Sequence, residues 1–422
     1  MSDRWTIEVH HGGRWHAAAS VERFGERRTR HASTHFEYDI DYASARLGER
    51  GAQAVSVAYP VDLDIRTAST FPAFAVDLLP QGEAQRTLLA RLREAGRDTS
   101  EWAQLGAGAG NPVGNLRVAE AVTPVEPAEG VPREDIVRRG DQFRAWAEAQ
   151  GIPMTGASDT SGASPKLLLT QDRDGRYHAD GALPDARAAR HFLVKFPRGR
   201  TSADAQVLAN EAPYLEVARA LGLRCGEPLA HEDGALFMPR FDRRCVDGRV
   251  ERRGLESLYS VLGVVEAGAS LRFEAVCAAV AAVVDDPEGE LVELVLRDAV
   301  AVALGDTDNH GRNTSLLERT DGGVELSPLY DFAPMYLDPD LIKRTTRWRS
   351  EAEGEPDWSD VCAALEPLVP REVLAPRMRA LGERLEDVRA RMRDAGVDAS
   401  IVERREPSAR AVAEALGRVE GG

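Results

Sequence analysis

Lysine is almost missing from this chain of 422 residues. It occurs only at Lys166, Lys195 and Lys343, so nearly all of the 53 basic side chains are arginine. An ammonium is a compact point charge that suits a phosphate, whereas a guanidinium is a wide planar fork. The retained lysines are therefore candidate site residues. Cysteine is scarce too: Cys225, Cys245, Cys277 and Cys362 make no CxxC pair and do not cluster with histidine. That excludes a zinc site of ordinary spacing and a disulfide framework, and reduced, mostly buried thiols are expected. Long apolar runs are lacking, since the longest nearly pure one, AVCAAVAAVV at 275–284, is too short to span a bilayer. The opening MSDRWTIEVHHGG has neither the basic start nor the apolar core of a leader, so a cytoplasmic protein without membrane contact is expected. Positive charge is in deficit as well, 53 basic against 69 acidic residues giving −16, which argues against binding nucleic acid through the average field. The stretch IKRTTRWR at 342–349 is the best local basic stripe, and a solvated loop is its plain alternative.

The length calls for two or three packed units. From 1 to 120, alternating segments such as TIEVHHGGRWHAA, FEYDIDYA and AVSVAYPVDLDI predict a β-rich unit of antiparallel strands, interrupted by one helix, FAVDLLPQGEAQRTLLARLREAG. Residues 121–150 open with the proline- and acid-rich AVTPVEPAEGVPRED and are expected to be a linker. Over 151–245, KLLLTQD, HFLVKFP and GALFMPRFDRR read as strands of a small lobe, followed over 246–422 by a mainly α-helical lobe.

Within the last region lies GDTDNHGRNTSLL at 305–317, with two aspartates, a histidine and an asparagine close together. A calcium loop, a metal-dependent hydrolase and a phosphoryl-transfer site all want such a cluster. A calcium loop needs oxygen ligands at positions 1, 3 and 5, glycine at 6 and glutamate at 12. Asp306, Asp308 and Gly311 fit that register, but His310 and Leu317 do not. Phosphoryl transfer wants an aspartate to orient the attacking hydroxyl and an asparagine five residues on for a metal, with a second aspartate nearby as principal ligand. Asp308 and Asn313 have that spacing, and Asp331 in YDF comes one predicted hairpin later, which would carry it back beside Asn313.

Other parts of a phosphate-handling site precede it. SGASPK at 161–166 can form a glycine loop whose backbone N–H groups cover phosphates. Lys195 sits inside the apolar strand HFLVKF, where an unpaired ammonium is costly; a nucleotide phosphate would resolve that cost, and so would a carboxylate such as Glu211.

The stretches FAVDLLPQGEAQR, GNPVGNLRV, SGASPKLLL, HFLVKFP, NEAPYLEVARALGL, FMPRFDRR, GDTDNHGRNTSLL and LSPLYDFAP, in this order, resemble the HipA serine/threonine kinases, toxins of bacterial toxin–antitoxin pairs. The resemblance implies an α+β, protein-kinase-like bilobal fold, with a small β-rich lobe and a large α-helical lobe, preceded by an N-terminal β-rich subdomain. It implies ATP and Mg2+ as cofactors, Asp308 as catalytic base, His310 as support for the catalytic loop, and Asn313 and Asp331 as magnesium ligands. Lys195 would contact the α- and β-phosphates, with Gly162, Ala163 and Lys166 in the phosphate loop. Met238, Pro239, Arg240 and Phe241 would form the adenine-binding hinge, and Asp242 falls where the family contacts ribose. A HipB-like DNA-binding antitoxin is the implied partner, with no DNA binding by the chain alone, and an aminoacyl-tRNA synthetase is an implied protein substrate.

Two positions depart from that pattern. Pro239 stands where relatives often carry a hinge glutamate, and Asp159 stands where they carry a regulatory serine. Ser158 and Ser161 then become the candidate autophosphorylation sites. Two other functions compete with a protein kinase. One is a small-molecule phosphotransferase of aminoglycoside-kinase type, which usually places His-Gly before the aspartate where this chain has Asp306-Thr307. The other is a nucleotide-binding partner protein without catalysis, against which the full set Lys195, Asp308, Asn313 and Asp331 argues.

Overall fold

The computed structural model describes residues 2–124, 128–152 and 164–420 and is a mixed α+β protein. It divides into two compact units, one of Met1–Gly199, His231–Val265 and Leu316–Val324, the other of Arg200–Ala230, Glu266–Ser315 and Glu325–Gly422.

The first unit holds two five-stranded sheets. Strand β1 (Arg4–His11) turns into β2 (Arg14–Phe24) through Gly12 and Gly13, both at positive φ. That two-residue turn matches the twist of the strands it joins, and glycine supplies it without a Cβ penalty. With β3 (Ser33–Tyr38), β4 (Arg66–Ala68) and β5 (Leu116–Val118) the order is β4-β3-β2-β1-β5, antiparallel throughout. Alternation along β1 sends Trp5, Ile7 and Val9 into the core against Phe36, Phe74 and Trp102.

Two expectations fail here. The segment 54–65 is not a strand: Val55, Val57 and Val61 are buried, but their N–H groups go to the Tyr38 hydroxyl (3.1 Å), the Glu256 carboxylate (2.8 Å) and the Glu49 carbonyl (2.9 Å). Partners of this kind satisfy the backbone without a ladder. The single helix read over 74–96 is two helices, Ala73–Asp77 and Gly82–Glu94, because Pro80 stands between them and cannot donate to a continuing helix.

The second sheet contains β6 (Lys166–Asp172), β7 (Tyr177–Ala179), β8 (Ala188–Lys195), β9 (Ala230–Glu232) and β10 (Ala235–Pro239) in the order β7-β6-β8-β10-β9. Its core gathers Leu167, Leu169, Phe192, Val194 and Phe237. Residues 133–149, expected as linker, instead form helices Arg133–Arg138 and Asp141–Ala149. Ile136, Val137, Phe143 and Ala147 from these helices join the same core.

The second unit is built on helices Ser202–Ala220, Phe273–Ala281, Pro287–Leu304, Trp358–Leu365, Arg371–Glu386, Val388–Asp394 and Ala399–Gly417. A capping box of Thr201 and Asp204 starts the first of these, satisfying N–H groups that a helix end leaves orphaned. At Gly382 a Cβ would lie 2.9 Å from the Ala413 carbonyl, so Arg371–Glu386 and Ala399–Gly417 meet backbone to backbone. None of the described helices is long and apolar enough to cross a membrane.

Candidate active site

The helix Pro287–Leu304 delivers the aspartate-rich loop. It starts at the Asp286 cap with proline in its first turn and stops at Gly305, whose φ of 77° is left-handed. Glycine is required there twice over, because a Cβ would also meet Tyr336 Cδ1 at 2.7 Å and the Arg405 guanidinium at 3.0 Å. The terminal carbonyls of this helix all find donors. Ala301 O accepts from the Gly305 and Asp306 amides at 2.8 and 3.0 Å. Val302 O and Ala303 O accept from Arg405, and Leu304 O accepts from the Tyr214 hydroxyl at 3.0 Å. A helix end with every orphan carbonyl bonded is a fixed support for the loop it carries.

The loop then closes on itself. The Asn313 N–H donates to His310 O (2.9 Å) and its side-chain Nδ2 donates to Asp308 O (2.6 Å). With Nδ2 so used, Oδ1 is the remaining acceptor of Asn313. His310 Nδ1 accepts from the Arg312 amide (3.2 Å), which places the neutral ring's proton on Nε2, 3.6 Å from Asp308 Oδ1. Asn309 fastens the loop from outside: its Oδ1 accepts from Thr345 N–H (2.9 Å) and its Nδ2 donates to Thr346 O (2.6 Å). The basic stretch 342–349 is thus anchored, with Arg344 buried against Asp298 and Trp348 Nε1 donating to Asp298, while Lys343, Arg347 and Arg349 are exposed.

The return to Asp331 is also fixed by hydrogen bonds. Tyr330 Oη donates to Arg312 O and meets Ser315 Oγ, each at 2.7 Å, and Ser327 N–H donates to Ser315 O at 2.8 Å. Asp331 itself has φ 54°, a left-handed conformation uncommon for a residue with a side chain. Asp306 lies beneath, buried, and accepts from the Asp308 amide (3.2 Å). Burial first, then the charges of Asp308 and Asp331, push the Asp306 carboxyl well above the usual range. Among the described residues no three His, Cys, Asp or Glu side chains converge closely enough to hold a metal by themselves. The donors at hand, Asp331 and Asn313 Oδ1, are hard oxygens of the kind magnesium takes when phosphates complete its shell.

The other predicted residues lie in the first unit. Lys195 ends β8, is 7% exposed, and stands directly opposite Lys166 of β6 in the ladder. Residues so paired share a face. Two of the chain's three lysines are therefore cross-strand neighbours, an arrangement that like charges disfavour and an anion would reward. On the other side of β8, Met238 pairs with Leu193 and Pro239 with Phe192, and the Arg240 amide resumes bonding to His191 O at 2.9 Å. Pro239 thus costs the strand one N–H without ending it.

Asp242 differs from the sequence expectation. Its carboxylate is 3% exposed and accepts from Arg240 Nη2 (2.6 Å), Arg243 Nη1 (2.7 Å) and the Gly114 amide (2.8 Å), while Arg240 Nη1 donates to Asp180 (2.8 Å). Burial alone would raise the Asp242 carboxyl, but Arg240 and Arg243 hold it far below the usual carboxylate range. A ribose contact from this side chain would have to share oxygens that the two arginines and Gly114 already hold. The GNPVGNLRV stretch owes its place to the same cluster, since Asn111 Nδ2 donates to Asp180 and Gly114 to Asp242. Sequence reasoning placed Asp306 only in the calcium-loop register, and it missed Asn309, inside the same motif, and Arg405, which no local signal marks. The proposed phosphate loop, with Ser158, Asp159, Ser161, Gly162 and Ala163, lies outside the described residues.

No curated protein matches the chain. Among solved structures it is similar to Shewanella oneidensis HipA, from a complex of that toxin–antitoxin system's HipA, HipB and operator DNA, with a TM-score of 0.68 at 18% identity over 97% of both chains. It is also similar to the Helicobacter pylori proinflammatory kinase CtkA over 54% of this chain and 91% of that one, but a TM-score of 0.35 at 13% identity is too slight to bear on the fold. The profile of the HipA-like C-terminal domain matches residues 158–395. That span is more than half of the sequence, and the chain belongs to the HipA family.

Proposed function

We propose that this chain is an ATP- and magnesium-dependent kinase of HipA type that phosphorylates serine or threonine in a protein. The observation that carries the reading is the closed loop in which Asp308, His310 and Asn313 are hydrogen-bonded into one unit, with Asp331 held in the same carboxylate cluster. In this reading Lys195 and Lys166 neutralise nucleotide phosphates beside the Gly162–Ala163 loop. The backbone of Met238–Phe241 holds adenine. Asp242 supports that hinge exit through Arg240 instead of touching ribose. Asn313 and Asp331 would hold magnesium, which offsets charge on the phosphates when bound. Asp308 orients the acceptor hydroxyl and takes its proton as the oxygen bonds the γ-phosphorus and the β–γ bridge bond breaks, leaving ADP. The proton on His310 Nε2 faces Asp308 and steadies its carboxylate.

A net charge of −16 leaves operator recognition to a basic, HipB-like partner, as the HipB-containing complex of the Shewanella relative suggests. An aminoacyl-tRNA synthetase is the proposed acceptor. Incubation with labelled ATP and magnesium, alone and with a bacterial lysate, beside an Asp308→Ala control, tests the reading. Label on serine or threonine of proteins is expected. Label only on small molecules would make the chain a small-molecule phosphotransferase, and none at all a nucleotide-binding partner. Mass spectrometry of the same samples shows whether Ser158 or Ser161 takes phosphate in place of the serine that Asp159 replaces.

A further inference from the structure

We propose that Arg405 is a positioning residue for catalysis, holding the helix end that delivers Asp308 together with the turn just past Asp331. The inference rests on the kinase reading above. Arg405 lies in the helix Ala399–Gly417, beyond the residues the family profile matches. Its Nη2 donates to Val302 O and to Ala303 O, both at 2.9 Å, and its Nε to Ala303 O at 3.2 Å. These are terminal carbonyls of the helix Pro287–Leu304, and a cation there meets both their lone pairs and the negative end of the helix dipole. The same guanidinium lies 5.2 Å from the ring centroid of Tyr336. Tyr336 is in the turn Met335–Leu337, a few residues beyond Asp331, and its N–H donates to Gly305 O at 3.1 Å.

Gly305 is therefore enclosed by Arg405 and Tyr336, with room for no side chain. One arginine touches the start of the segment carrying Asp308 and the end of the segment carrying Asp331. It makes no part of either segment itself. A shift of the guanidinium moves both carboxylates relative to each other, which matters because misplacement by about 1 Å can cost about 10²-fold in rate. Simple packing would predict a different outcome, in which loss of Arg405 lowers stability and leaves the geometry of the surviving folded molecules intact.

The test compares wild type, Arg405→Ala and Arg405→Lys in full-length chain. Initial rates of label transfer are measured at fixed lysate acceptor and varied ATP, with and without added guanidinium. Amide hydrogen exchange is measured over residues 305–313, and thermal denaturation is recorded for all three. The expected result for Arg405→Ala is a kcat lower by about 10- to 100-fold with KM for ATP within about twofold. Guanidinium should partly restore the rate, Arg405→Lys should fall between the two, and exchange in 305–313 should quicken. Wild-type rate or unchanged loop exchange in Arg405→Ala overturns the proposal. So does a rate loss that tracks only the fraction unfolded and ignores guanidinium. If wild type itself transfers no label, the kinase reading fails, and the exchange comparison, which needs no catalysis, still decides whether Arg405 holds the loop.

Discussion

Asp331→Asn separates the metal-binding role of this side chain from its role in the fold. At φ 54° the backbone is left-handed, a conformation that asparagine tolerates as well as aspartate, so the change removes charge and keeps the turn. In the metal-free chain Asp331 raises the buried Asp306 carboxyl alongside Asp308, so its removal relieves repulsion. Between the part-exposed Asp331 and the buried Asp306 that relief is on the order of 1 kcal/mol. It corresponds to a rise in Tm of about 2–4 °C for a folding unit of about 150–250 residues. Saturating Mg-ATP should act oppositely on the two proteins. At about 100 Kd it stabilises the wild type by about 2.7 kcal/mol, and the variant, lacking the charged ligand, should gain little. Thermal denaturation with and without Mg-ATP, beside a phosphate-transfer assay, measures all three quantities. An inactive variant that is more stable than wild type without metal and indifferent to Mg-ATP is expected. A variant several degrees less stable without metal, or one still stabilised by Mg-ATP like wild type, would refute the assignment.

Asp308→Ala should lose transfer by about 10²-fold or more while Mg-ATP affinity, measured by calorimetry, stays nearly unchanged. Lys195→Ala should weaken ATP binding more than Lys166→Ala, because Lys195 is the buried member of the cross-strand pair; equal effects in a nucleotide titration would sink that ranking. Burial raises Glu256 from 4.5 to about 7 and Glu318, which also feels Glu256, well above its usual value. The fold then keeps protons that the unfolded chain releases above about pH 4.5, so stability falls as pH climbs through about 7 and beyond. Glu318→Gln should flatten the alkaline part of that decline in Tm scans, and an unchanged slope would count against it. The purified chain should bind duplex DNA only weakly and with strong salt dependence, and tight operator binding in a filter assay at physiological salt would contradict the partner proposal.

The parts of the fold legible in sequence were those where periodicity and side-chain chemistry agree. The β1–β2 hairpin announced itself through alternation and the Gly12-Gly13 pair, and β6 and β8 through short apolar runs. The region 54–65 misled for a physical reason, since its buried valines imitate a strand while Tyr38 and Glu256, far away in sequence, take its amides. Residues 133–149 misled because the preceding prolines and acids outweighed a sparse apolar face of Ile136, Val137 and Phe143. At the candidate site, D-x4-N and YDF were readable because their spacing is local. Arg405 was not, because its partners at 302 and 303 lie about a hundred residues earlier. Asp242 shows the converse: its place in the chain suggested ribose, and only the packing reveals that Arg240, Arg243 and Gly114 already take both of its oxygens.

These features place the costs of the site in separate parts of the chain. Asp308 and Asp331 both raise the buried Asp306 carboxyl, Asp331 from a left-handed backbone, and such an arrangement persists only where surrounding contacts over-determine it. Those contacts are neutral or cationic and come from outside the cluster: Asn309 to residues 345 and 346, Tyr214 to Leu304 O, Arg405 to Val302 O and Ala303 O. None of these three contacts is made to a carboxylate of the cluster, so none quenches the negative charge that a metal–nucleotide complex would meet. An arginine bonded to Asp331 itself would compete with a metal for that carboxylate. The helix cap is a better place for it, since there it fixes geometry and leaves the charge of the site intact.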